Sequence, residues 1–134
     1  METQQLMEAA KQAREKAYAP YSQFEVGAAL LTDKKTIYTG CNIENAAYSL
    51  CNCAERTALF KAYSEGERHF AGMCVVADSP RPVPPCGACR QVMAELCPAD
   101  MPVILMNMNG DTQETTVAQL LPGSFDAGDL HHDK

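Results

Sequence analysis

Apolar residues recur every third or fourth position near the start of the chain. Leu6, Ala10, Ala13 and Ala17 fall on one stripe, which predicts a helix over residues 3–18. The stretch APYSQ (19–23) breaks it. FEVGAALLT (24–32) and TIYTGC (36–41) read as the two strands of a hairpin turned by DKK. Residues 42–52, NIENAAYSLCN, show no clean period and read as a structured loop. A second helix is predicted over 53–66, with Gly66 as its stop. FAGMCVVAD (70–78) is almost unbroken apolar and suits a central buried strand. Four prolines make 79–85 a loop. A third helix follows over 86–97 and another buried strand over 102–107. An Asn-Gly turn at 109–110 leads to a short edge strand, and a brief helix over 117–121 is closed by Pro122 and Gly123.

This order, α-ββ-α-β-α-β-(β)-α, predicts a single domain over residues 1–134 of the α/β class. The expected form is a three-layer α/β/α sandwich with a mixed sheet. Its first strand pair should be antiparallel, and the strands joined by helical crossovers parallel. The length agrees, since 134 residues suit one domain.

Charge and cysteine content change the picture further. The net charge is −6 and the eleven basic residues are scattered, which argues against a nucleic-acid groove. The N-terminus lacks the apolar segment of a signal peptide. No apolar run approaches the ~18 residues that a membrane helix needs. A cytoplasmic, reducing location is expected, where disulfides are rare. The seven cysteines then call for metal ligation, catalysis or plain burial.

Two cysteine groups open predicted helices: CNCAER at 51–56 and PCGAC at 85–89. A C-x-x-C pair alone reads as half a zinc site or as a redox dithiol. A redox pair belongs after the first strand of a thioredoxin-like unit, and this one follows the third strand and a proline loop. Helix N-termini carry unpaired N–H groups and a partial positive charge, which favour thiolates. Two such ends facing one spot would offer Cys53, Cys86 and Cys89. No fourth cysteine or histidine has a matching spacing, and three protein ligands leave one position for water, as in catalytic zinc sites. Glu55 could serve such a water as a proton carrier. In a regular helix it would face away from Cys53, so an irregular helix start is required. Cys41, Cys74 and Cys97 read as small buried hydrophobes. Cys51 precedes the helix, and His131 and His132 read as a solvated tail.

An acid followed by P-C-x-x-C is the pattern of zinc nucleobase deaminases. The stretches YAPYSQFEVGAALL, GCNIENAAYSLCNCAERTALFKAYSEG, PCGACRQV and LLPGSF cover most of the chain. They closely resemble the small homotetrameric cytidine deaminases of bacteria. The resemblance implies a cytidine deaminase-like fold and hydrolysis of cytidine and 2′-deoxycytidine to the uridines and ammonia, in pyrimidine salvage. It implies one zinc per subunit on Cys53, Cys86 and Cys89, with Glu55 as proton shuttle. Asn42 and Glu44 would hold the ribose 3′-hydroxyl, Phe24 would pack on the pyrimidine, and the Ala54 main chain would touch the base. Tyr48 and Phe125 would complete sites in neighbouring subunits of a homotetramer. Without the resemblance, Phe24 reads as a core residue opening a strand and Tyr48 as a surface aromatic. Three thiolates on a divalent zinc leave a net charge of −1. The resemblance implies that Arg56 offsets it by hydrogen-bonding to Cys53 and Cys86.

Overall fold

The computed structural model describes residues 2–123. Helix α1 (Glu2–Arg14) leads into strands β1 (Val26–Thr32) and β2 (Ile37–Cys41). Helix α2 (Ala54–Ser64), strand β3 (Phe70–Ala77), helix α3 (Gly87–Leu96) and strand β4 (Pro102–Asn107) follow. Strand β5 (Thr112–Thr116) and the short helix α4 (Val117–Leu120) end the described chain. The strands form one sheet in the order β2-β1-β3-β4-β5. β1 runs antiparallel to both β2 and β3, while β3 and β4 are parallel. β5 closes the edge antiparallel to β4. The sheet is therefore mixed, with helices on both faces, as the order of elements predicts.

The two faces carry separate cores. Ala29, Cys74, Val76, Ile104 and Met106 pack with Leu6 and Ala10 of α1. Ala28, Leu30, Met73, Val75, Val103 and Leu105 pack with Ala58 and Leu59 of α2, Met93 of α3, and Val117 and Leu120 of α4. Alternation along β1, β3 and β4 sends neighbouring apolar residues to opposite faces, which is why those strands read as unbroken hydrophobic runs. Cys74 and Cys97 are buried as expected, whereas Cys41, on the edge strand β2, is only half-buried.

Two glycines set the heights of two helices. A Cβ on Gly27 would lie 2.1 Å from the Ala10 carbonyl oxygen of α1, and one on Gly40 would lie 2.5 Å from both Ala54 O and Ala58 N of α2. Any side chain there meets main chain. The sheet and the first turn of α2 touch because position 40 has none.

Three of the boundaries that differ from those read in the sequence bear on the site. Helix α1 ends at Arg14 rather than residue 18. Tyr18 is bound instead to the loop after β2: its N–H donates to Asn42 O (3.0 Å), and its carbonyl accepts from Glu44 N (2.8 Å). β1 begins at Val26, leaving Phe24 ahead of the strand. α2 begins at Ala54, with Cys53 as its N-cap residue in extended geometry. Its C-terminus closes as expected on Gly66, at φ +94°. There the Gly66 and Glu67 amides return to the carbonyls of Tyr63 and Ala62.

Candidate metal centre and substrate cavity

The sequence places Cys53 and Cys86 just before two apolar helices, and both become N-cap residues with extended backbones. Cys89 lies in the first turn of α3 and is fully buried. The three sulfurs lie within 4.8 Å of one another. Cys53 Sγ is 3.6 Å from Cys86 Sγ, which is 3.4 Å from Cys89 Sγ. A tetrahedral zinc with Zn–S bonds of ~2.3 Å sets its sulfurs ~3.8 Å apart, so this donor set fits zinc. Cys51 takes no part. Its sulfur accepts from Asn45 N (3.2 Å) and donates to Asn45 O (3.4 Å), clasping its own loop.

The thiols ionise unevenly. Cys53 is pushed down to about 5, first by its hydrogen bond with Cys89 and then by Arg56. Cys89 is pushed up, by that same bond and by burial. Thiolates this close repel one another unless a cation stands between them. Arg56 supplies one positive charge: its Nη2 donates to Cys53 Sγ at 3.3 Å, and it interacts with Cys89 as well. The bond to Cys53 is the one expected of Arg56. Cys86 caps α3 on the exposed side, while Cys89 turns inward. Arg56 Nε is buried without a hydrogen-bond partner.

Glu55 is 4% exposed. Burial, with the negative charge of Cys53 adding to it, raises its carboxyl to about 7. The irregular start that Glu55 requires is present. Because Cys53 is extended, the helical spacing that would turn Glu55 away from it does not apply, and both line one cavity.

That cavity holds about 330 Å³, within the range of small-molecule sites. It lies where β1 begins and where β2 and β3 end. Phe24, Asn42, Glu44 and Ala54 line it together with Cys53, Glu55 and Cys86, and Val83, Pro84 and Pro85 form a wall. Tyr48 does not reach it. It is 77% exposed and borders an adjoining recess with Tyr21, Ser22, Glu44 and Cys51. Phe125, His131 and His132 lie outside the described residues.

Asn42 is tied to the start of β1: its Oδ1 accepts from Val26 N (2.9 Å), and its Nδ2 donates to Phe24 O (2.8 Å). Glu44 accepts from Tyr21 N (3.0 Å), Ser22 N (3.1 Å) and the Ser22 hydroxyl. The Ser22 bonds hold its carboxyl below the usual carboxylate range.

Sequence reasoning missed three supporting residues. Ser22 stands in a stretch read as a helix break and as part of the family resemblance, with no role given to it. Arg90 donates to Pro85 O (2.7 Å) and Leu120 O (2.8 Å), tying the loop before Cys86 to α4. Asn107, wholly buried, donates to Pro80 O (3.3 Å) and anchors the proline loop. An arginine directly after C-x-x-C was the one visible signal.

Comparison with known proteins points the same way. Residues 1–105 match the family model described as the cytidine and deoxycytidylate deaminase zinc-binding region. The cytidine deaminase of Halalkalibacterium halodurans is 64% identical over 131 residues, covering 98% of this chain and 99% of that protein. That of Sporosarcina psychrophila is 61% identical over 132 residues, covering 98% and 97%. The crystal structure of cytidine deaminase from Burkholderia pseudomallei superposes with a TM-score of 0.91 at 56% identity, over 93% of this chain and 100% of that one.

Proposed function

Because the chain belongs to the cytidine and deoxycytidylate deaminase family, we propose that it converts cytidine and 2′-deoxycytidine, with water, to the uridines and ammonia. The observation that carries this reading is a cluster of three thiols, two of which line a nucleoside-sized cavity beside one buried carboxyl. Cys53, Cys86 and Cys89 would hold one zinc per chain, and zinc bound there supplies a water acidic enough to react near neutral pH. Glu55 would take a proton from the attacking water and deliver it to ring N3. Once the oxygen has added to C4, Glu55 would carry its remaining proton to the amino group, which leaves as ammonia. A carboxyl raised to about 7 can both accept and release protons at neutral pH.

The same reading gives Asn42 and Glu44 the sugar 3′-hydroxyl, Phe24 the pyrimidine face and the Ala54 main chain the base. Tyr48, exposed and outside the cavity, suits a residue that completes a neighbouring subunit's site, and Phe125 has the same role. The 134 residues act as one domain within a homotetramer, in cytoplasmic pyrimidine salvage, without nucleic-acid partners. Among the described residues no helix is long and apolar enough to cross a membrane.

The test is ammonia release from cytidine, deoxycytidine, cytosine and CMP, with zinc counted per chain. Turnover of the two nucleosides at one zinc per chain is expected. A zinc-loaded protein inert on all four overturns the reading. Sedimentation should give about four times the 14.6 kDa chain mass, and an active monomer would remove the shared-site role of Tyr48 and Phe125.

A further inference from the structure

Glu44 is held by three donors from one short turn. The amides of Tyr21 and Ser22 both reach Oε1, and the Ser22 hydroxyl reaches Oε2. The same hydroxyl oxygen accepts from Phe24 N at 3.1 Å. Between them Gln23 adopts φ +59°, a left-handed conformation uncommon for a residue with a side chain, and its amide returns to Ala19 O at 2.9 Å. The turn is thus folded back onto the carboxylate. Ser22 itself lines the cavity beside Phe24, Asn42 and Glu44.

Counting donors and acceptors shows what remains for a ligand. A carboxylate has about four acceptor sites. Three on Glu44 are filled, which leaves one on Oε2. Asn42 uses one N–H on Phe24 O, which leaves one N–H. One acceptor and one donor on the same cavity wall match a single sugar hydroxyl, which gives one proton and takes one.

We propose that Ser22 is a positioning residue for sugar recognition. Its hydroxyl is shared between Glu44 and Phe24, so one group aims both the acid that grips the sugar and the aromatic ring that meets the base. The proposal rests on the reading that Asn42 and Glu44 hold the 3′-hydroxyl. Without the Ser22 hydroxyl, Oε2 is free to swing, and the Phe24 amide loses its acceptor. The chemistry at Glu55 is untouched, so the loss should fall on KM and not on kcat.

The experiment compares Ser22→Ala and Ser22→Thr with the parent holoenzyme on cytidine and on 2′,3′-dideoxycytidine, which lacks the 3′-hydroxyl. Ser22→Ala should raise KM for cytidine roughly 10-fold, the loss expected for a hydrogen bond to a charged group. It should keep its zinc and its kcat within about twofold. On dideoxycytidine its KM should rise by less than about threefold, because Glu44 has no hydroxyl to hold there and only the aim of Phe24 is left to lose. Ser22→Thr, which keeps the hydroxyl, should recover most of the cytidine KM. An unchanged KM in Ser22→Ala, or an equal rise on both nucleosides, overturns the proposal. A parent protein that binds the two nucleosides alike overturns the sugar-grip reading itself, and Glu44→Gln, then behaving as the parent does, would identify that as the failure.

Discussion

At one end of the cavity, Cys53, Glu55, Cys86 and Cys89 stand on the first turns of α2 and α3, helices anchored by the wholly buried Ala58, Leu59 and Met93. At the other, Ser22, Phe24, Asn42 and Glu44 stand on the loops before β1 and after β2, and Phe24 is 39% exposed. The first end is aimed by secondary structure and by packing. The second is aimed by side chains that hydrogen-bond the backbone of the neighbouring loop. Rigid elements hold atoms that must meet to within a fraction of an ångström, and loops carry recognition that tolerates more movement. Substitutions at the metal end should therefore reach zinc and kcat, and those at the sugar end should reach KM.

The sharpest way to break this division is at the metal end. Cys86→Ala should lose both zinc and turnover, because two thiolates hold the ion poorly. A variant that keeps one zinc per chain by metal analysis would mean a ligand outside the three. Glu55→Gln should keep zinc and fold and lose turnover by ~10²–10⁴-fold or more, since an amide carries no proton. Parent-like rates in that variant would take the proton shuttle away from Glu55.

Arg56→Gln is the next test. Removing the guanidinium bound to the thiolate cluster should weaken zinc affinity or kcat by roughly 10- to 100-fold. Adding Cys53→His should recover part of this, because a neutral ligand removes the surplus charge. Zinc titration and cytidine turnover in the single and double variants decide it, and a parent-like Arg56→Gln sinks the charge argument. The smallest effect should come from a matched pair. Gly27→Ala and Gly40→Ala should each cost about 1–3 kcal/mol in urea unfolding, the usual range for overpacking. Only Gly40→Ala, beneath the turn that carries Cys53 and Glu55, should also lower kcat, by several-fold. Equal kcat in the two would show that the height of α2 is not what aims the site.

The metal end was largely legible in the sequence because its parts are local. A cysteine before an apolar helix becomes an N-cap whatever the rest of the chain does, and P-C-x-x-C repeats the arrangement on α3. The sugar end was legible only through resemblance. Asn42 and Glu44 draw their partners from residues 18–26, a pairing that no periodicity reports. The same non-local pairing explains two boundary errors. The apolar stripe ran on to Ala17, but the backbone of Tyr18 is bound to residues 42 and 44. Phe24 matched a strand pattern, but its amide and carbonyl are held by Ser22 and Asn42 side chains. Arg56 was expected on Cys53 and Cys86, and its hydrogen bond to Cys53, three residues away on the same helix start, is the local part of that pairing.

The contacts at Gly27 and Gly40 bear on how such a chain can diverge. In most of a core, a side chain that becomes too large can be matched by a smaller neighbour, and lineages drift through paired changes. Here the neighbours are the Ala10 carbonyl and the main chain of Ala54 and Ala58, which no codon can shorten. Descendants are left with two routes: keep glycine at both positions, or move a whole helix. The second route at position 40 would carry Cys53 and Glu55 away from α3, so drift there is closed while the polar edge strand β5 stays open to it.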